Sequence, residues 1–438
     1  MMFFTANCTL YAQDDIDIDE EDEITVTDEN GDEEIIDLPE AMTYDLDSLL
    51  NLYMNNTYLT EDNNCRMKDY NPTFSREEYI DRLKRIPAVM EMPYNDAVQQ
   101  CIDRYAGHLR RSVSLMLGAG NFYMPIFEEA LEAYGLPLEL RYLPIIESAL
   151  NPKAVSRAGA AGLWQFMPTT GKQYGLKLNS LVDERRDPIK ASYAAAHLLS
   201  DLYKVFGDWN LVIAAYNCGP GNINKAIARS GGKRDYWAIY PYLPRETRGY
   251  VPAFIAANYI MTYYCDHNIC PMQTRLPLKS DTIMISRNVH LQQIADVCGI
   301  SLEELRALNP SYRRDIIPGT TEPCILRLAQ ADVNKFITME DSVYNYRTDE
   351  LLNRRATVAV PDDVPTYYHH KKGRHGRHGK YDKRHKRGRD VAPSKKKRGK
   401  REAQVTKKKG KRGTAKPATS KKKGNAAAKK KGGKKKRR

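Results

Sequence analysis

Charge is so unevenly distributed along this chain that only its middle can fold around an apolar core. Residues 371–438 hold 33 Lys or Arg against three Asp or Glu, and residues 1–40 hold 15 Asp or Glu with no Lys or Arg. Like charges repel, and such segments bury too little apolar surface to offset the entropy of ordering. The acidic stretch 13–43 shows no periodicity and is expected to be disordered, as is the Lys/Arg-rich tail 366–438. The net charge of +13 therefore belongs to a tail and says nothing about a folded surface. What lies between is long enough for two or three globular units.

The first twelve residues, ending "LYA", have the small-residue, apolar character of the end of a secretory signal, with a cut expected after Ala12. The basic n-region of a full signal is missing, so a shortened signal and a periplasmic or envelope location are expected. A lipoprotein reading of Cys8 needs a small residue before it and finds Asn7. No stretch reaches the roughly 18 apolar residues that cross a bilayer. The eight cysteines contain no CxxC pair, which argues against a zinc ribbon or a thioredoxin-like site. Bridges Cys65 to Cys101, Cys265 to Cys270 and Cys298 to Cys324 are one expectation, with Cys218 free; buried free thiols are the other.

From 44 to 275 the pattern is helical. "SREEYIDRLKRI" opens on Ser75 as N-cap with Glu78 three residues on. "YNDAVQQCIDRYAGHLRRSVSLMLGAG" and "MPIFEEALEAYG" predict two further helices, the second closed by Gly135. Asp187 caps "DPIKASYAAAHLLSDLYKVFG", with Pro188 at the first helical position. Almost nothing between 75 and 270 predicts a strand, so the expected fold class is mainly α.

Within that region "LELRYLPIIESAL" (138–150) places Glu147 on an apolar face with Leu143, Ile146 and Leu150. A carboxylate so placed loses hydration, its pKa rises, and it becomes a proton donor near neutral pH; an ion pair with Arg141 is the plain alternative. Three more clusters fit a sugar site. "GLWQFMP" presents Gln165 after a glycine-rich turn. "AYNCGPG" sets Tyr216 and Asn217 at a helix end, and Tyr250 stands in "TRGYVP".

In that order, "ES" at 147–148, "GLWQFMP" and "AYNCGPG" resemble the motifs of the soluble-type lytic transglycosylases, which have a goose-type lysozyme fold. "LPLELRYLPIIESALNPKAVSRAGAAGLWQFM" and "DERRDP" are most similar to the family's membrane-bound D subgroup. The resemblance covers about 95–275. It implies Glu147 as the sole acid/base, Ser148 of the same motif as a substrate-binding residue, Ser156 and Gln165 on the muramyl unit, and Tyr216, Asn217 and Tyr250 along the cleft. Trp164 stands where many relatives have Met. The implied reaction is cleavage of the MurNAc-β-1,4-GlcNAc bond of peptidoglycan with 1,6-anhydro ends, with no metal or organic cofactor, by a monomer. A hydrolytic muramidase, which would need Asp183, Glu184 or Asp187 as second carboxylate, and a non-catalytic wall binder remain alternatives.

Residues 280–329 predict strand, helix, helix, strand, and "LEELRALNP" resembles the second half of a LysM glycan-binding domain, although "RNVHL" replaces its usual Gly-Asp-Thr-Leu turn. Residues 330–365 are expected to be a linker. The tail is expected to bind anionic envelope polymers or lipid. Nucleic acid is a poor fit, since its aromatics are confined to Tyr367, Tyr368 and Tyr381.

Overall fold

The computed structural model describes residues 23–27, 33–43, 59–62, 64–65, 67–68, 70–277 and 279–352. The chain divides into units 1–370 and 371–438; the second, like the rest of the expected tail from 366 and the expected signal remnant 1–12, lies outside the described residues.

Helices dominate, and their ends follow the local chemistry. Ser75 accepts a hydrogen bond from the Glu78 amide and opens the helix Arg76–Arg85. Asp187 accepts from the amides of Ile189 and Lys190 and opens Pro188–Phe206. The expected break at 121–123 is absent: Arg110–Ala133 is one helix running through the buried Gly118 and Gly120, and Gly118 is where the Met272 backbone packs against it, a Cβ there lying 2.6 Å from the Met272 carbonyl oxygen.

The hub is the helix Arg245–Tyr263, buried almost continuously from Gly249 to Met261. It packs on Asp96–Ala106, on Trp209–Cys218 and on the short helix Leu143–Ser148. Apolar residues on these faces, among them Val98, Ile102, Val212, Phe254 and Ile255, form one core with the rest of the domain. Each such side chain contributes roughly 1.5–3 kcal/mol by leaving water.

Four further expectations need correction. The stretch 13–43 is not structureless where it is described. Glu23–Thr27 pairs antiparallel with Glu33–Asp37, and Glu40–Thr43 forms a helical turn against Leu143–Ser148. The hairpin's acids find cations: Arg245 lies 3.1 Å from Glu23 and 3.2 Å from Asp37, and Arg248 pairs with Glu34. Gly249 lets this happen, since a Cβ there would meet the Asp37 carbonyl oxygen at 2.1 Å. The region 44–94 is helical only in part, with Leu59–Thr60 pairing to Gln273–Thr274 as a strand.

The LysM-like unit has the expected order of strand (Ser280–Ile285), two helices (Leu291–Cys298 and Leu302–Leu308) and strand (Cys324–Ala329), the outer strands pairing antiparallel. The expected linker is part of it. Gln330–Asn345 is a helix that buries Phe336, Val343 and Tyr344 in the same core as Ile285, Leu305 and Leu326. The disulfide joins Cys65 to Cys270 instead, with Cys101, Cys218, Cys265, Cys298 and Cys324 free. With Cys65 and Cys270 bonded to each other, Cys101 and Cys265 have lost their expected partners, and Cys298 and Cys324 are buried free thiols. No described helix is long and apolar enough to cross a membrane.

Candidate active site

The helix that carries Glu147 is shorter than its apolar spacing suggests. A 3-10 turn, Leu138–Tyr142, precedes Leu143–Ser148, and Ala149 and Leu150 then take left-handed φ values of 49° and 61°. This reversal stops the helix one residue after Glu147. The carboxyl thus stands at a helix end, half-covered, facing a cavity of about 250 Å³. Arg141 does not reach it, being paired with Glu128 and donating to the Tyr142 hydroxyl.

The walls come from four chain segments. Gln165 sits at φ 46° in the "GLWQ" turn and donates to the Gly162 carbonyl at 2.8 Å. Gly162 has φ 87°, and a Cβ there would lie 1.8 Å from the Arg185 carbonyl oxygen, so only glycine lets the turn close on the "DERR" segment. Trp164 is a buried anchor, donating from Nε1 to Ser192 Oγ at 2.9 Å and packing edge-on against Phe127. Tyr216 donates to the Trp164 carbonyl at 2.7 Å, which ties the end of Trp209–Cys218 to the same turn. Asn217 accepts from Thr247 Oγ1 at 2.8 Å.

Tyr250 donates its hydroxyl to Glu147 Oε1. Burial nevertheless pushes the Glu147 carboxyl up to about 8; the Tyr250 hydrogen bond opposes the rise and the nearby carboxylates Glu246 and Glu40 add to it. Burial raises the Tyr216 and Tyr250 hydroxyls far above their ordinary range, so both remain donors at any working pH.

Glu147, Ser156, Gln165, Tyr216, Asn217 and Tyr250 therefore share one cleft. Ser148 does not. It is buried behind Glu147, its hydroxyl within 3.0 Å of the Pro144 carbonyl and 2.9 Å of the Leu163 carbonyl, so the expected substrate contact is replaced by a tether between the Glu147 helix and the "GLWQ" turn. Sequence reasoning missed Glu246 and Glu40, which line the cleft as well. Burial raises Glu246, and a hydrogen bond with Asn217 opposes that. The clue for Glu246 was its place four residues before Tyr250 in "ETRGY"; for Glu40 there was none. The three carboxylates offered for hydrolysis are otherwise engaged. Asp183 is bound by Arg185 and Arg313, Glu184 accepts from the Lys177 amide and pairs with Lys190, and Asp187 caps its helix. Among the described residues no group of three His, Cys, Asp or Glu side chains could hold a metal ion.

Comparison with known proteins defines the class of both domains. Residues 124–239 match the transglycosylase SLT domain, and residues 279–345 match the LysM-like domain of the lytic transglycosylase MltD. Over these two stretches the chain is thus similar to an SLT domain followed by an MltD-type LysM-like domain. It is 35% identical over 233 residues to membrane-bound lytic murein transglycosylase D of Escherichia coli (strain K12), an alignment covering 51% of this chain and 50% of that protein. It is also 35% identical over 124 residues to the soluble lytic murein transglycosylase of the same organism, covering 27% and 19%. The chain thus spans about half the length of the first of these relatives. Among solved structures, the 70 kDa soluble lytic transglycosylase of Escherichia coli aligns at 30% identity with a TM-score of 0.29, over 34% of this chain and 25% of that one.

Proposed function

We propose that this protein is a peptidoglycan lytic transglycosylase of the periplasm or cell envelope, cleaving the MurNAc-β-1,4-GlcNAc bond. The observation that carries this reading is Glu147, a carboxyl kept protonated by burial and by its acidic neighbours in a cleft that Gln165, Tyr216, Asn217 and Tyr250 also line. The matching SLT domain supports it.

In this mechanism Glu147 gives its proton to the glycosidic oxygen as the bond to C1 of the muramyl unit breaks, so the leaving sugar departs neutral. Positive charge develops at C1, and the substrate's own N-acetyl oxygen stabilises it. Glu147, now ionised and held by Tyr250, takes the proton of the C6 hydroxyl as O6 closes on C1. Gln165, Tyr216 and Asn217 hold the sugar, and Ser156 contacts the muramyl unit. The intramolecular attack gains from effective concentration. The product is a 1,6-anhydro end, the enzyme regains its proton, and no water is consumed.

Mass spectrometry of digests in heavy-oxygen water tests this. Anhydro ends without label are expected. Label at reducing ends would mean hydrolysis, with Glu246 as the residue able to serve as base. The LysM-like domain is assigned to glycan binding, and the basic tail to anionic envelope polymers or lipid. Deleting 371–438 should leave turnover on soluble fragments intact and weaken salt-sensitive retention on anionic surfaces.

A further inference from the structure

The seam between the lysozyme-like and LysM-like domains carries more cations than its ion pairs use. A cavity of about 440 Å³ lies there, walled by Lys153 and Arg186 from the first domain and by Arg306, Arg313 and Arg314 from the second, with Asp315 as the acidic side chain of the lining. The two domains are joined beside it by an isolated antiparallel bridge between Val182 and Tyr312.

Two of these cations are committed. Arg306 grips both oxygens of Asp315, from Nε at 3.0 Å and Nη2 at 2.7 Å, and Arg313 donates to Asp183 at 2.7 Å. Asp183 needs nothing more, since Arg185 already binds both its oxygens at 2.9 Å. The other three are left over. Arg186 comes no nearer than 3.8 Å to Asp183, and its Nε is buried with no hydrogen-bond partner. Lys153 and Arg314 ion-pair with no acidic side chain among the described residues.

We propose that this seam is a binding site for an oxyanion, a carboxylate or phosphate group held jointly by Lys153, Arg186 and Arg314 across the two domains. A guanidinium fork with a nearby ammonium is suited to a planar or tetrahedral oxyanion. Burial, then the charges of Arg313 and Arg185, lower the Arg186 pKa against the pull of Asp183, and burial, then Arg306 and Arg186, lower that of Lys153 against the pull of Asp315. An anion relieves both.

Resting on the proposed function, the source is a carboxylate on the polymer that occupies the cleft. Lys153 and Ser156 stand on one loop, which faces the seam at one residue and the cleft at the other. Free phosphate is the competing source of the same chemistry.

Calorimetry on the full chain, with inorganic phosphate, with soluble peptidoglycan fragments, and with the same fragments after amidation of their carboxyls, tests the site. The tail attracts anions too, so Lys153→Glu and Arg314→Gln, made in the full chain, serve as references with unchanged tails. A saturable class of binding that weakens at least tenfold in both variants is expected; isotherms identical to the parent's would assign all anion binding to the tail and overturn the site. Fragments that bind only with free carboxyls identify the polymer as source, and binding of phosphate without the fragments overturns that part. Unlabelled anhydro ends from a protein lacking this saturable binding would leave the proposed function standing and remove the seam site. Saturable phosphate binding without such ends would do the reverse.

Discussion

Glu147 and Asp183 are both withdrawn from water by the same domain, yet their surroundings drive them in opposite directions. Glu147 has one partner, a neutral tyrosine hydroxyl, and carboxylates for neighbours, so burial prevails and its pKa rises to about 8. Burial would raise Asp183 as well, but hydrogen bonds and charges from Arg185 and then Arg313 outweigh it and hold the pKa below its ordinary value. Burial alone therefore assigns neither role. The partner decides: a neutral donor leaves a proton available for transfer, whereas guanidinium groups make an ion pair that holds structure.

The largest test of that contrast is Glu147→Gln, which keeps shape and hydrogen bonding but cannot exchange a proton. Turnover of purified peptidoglycan should fall roughly 10³-fold or more, with an unchanged circular dichroism spectrum. Asp183→Asn should do the opposite, costing about 3–5 kcal/mol of stability in denaturant titrations because it strands a buried Arg185, while turnover survives at temperatures where the variant is folded. Arg313→Gln removes only the partner's outer, one-third exposed member and should cost about 1 kcal/mol after allowance for screening, with faster proteolytic cutting between the domains.

The smallest effects lie in pH dependence, and the two carboxyls should differ in sign. Glu147 binds its proton more tightly folded than unfolded, so its contribution to stability is present below its ordinary value of 4.5 and lost as pH rises through about 8. The Glu147→Gln variant should accordingly gain stability relative to the parent above pH 8. Asp183 contributes above its ordinary 3.8 and loses that contribution as pH falls through its lower folded value. Turnover of the parent should decline as pH rises through about 8, where the acid form of Glu147 disappears. Tyr250→Phe removes a hydrogen bond that favours the ionised form, so its alkaline limb should move to higher pH; a limb moving downward would mean that Tyr250 does not act on Glu147.

What could be seen in the sequence was local. A charged residue in an apolar stripe, a glycine-rich turn and a helix-end "YN" pointed to Glu147, Gln165, Tyr216 and Asn217, because these features depend on neighbours within a few residues. The stripe itself misled about length: Leu150 kept helical spacing, but its backbone is left-handed, and periodicity does not report φ. Glu40 and Pro39 reach the cleft from a segment whose composition looked solvated. The alternation in "ITV" and the paired Ile35 and Ile36 carried a weak strand pattern, with Val26 and Ile36 buried in the result. The cations that neutralise this hairpin lie about two hundred positions away, at Arg245 and Arg248. The expected disulfides failed for the same reason, since short separations were favoured and the chain paired across the domain.

The bond between Cys65 and Cys270 spans 205 residues of chain, and Glu147, Gln165, Tyr216 and Tyr250 all fall within that interval. Every peptide bond that a protease could cut between the two cysteines is therefore inside a covalent ring. A nick there opens the ring but frees no fragment, and the pieces stay at each other's side at an effective concentration set by the tether. Closing a ring of that size also withdraws about 5 kcal/mol of conformational freedom from the unfolded chain on the loop-entropy model. A single cut between the two cysteines thus leaves the pieces of the cleft joined and able to reassemble in place, and reduction of that one bond is what then lets them part.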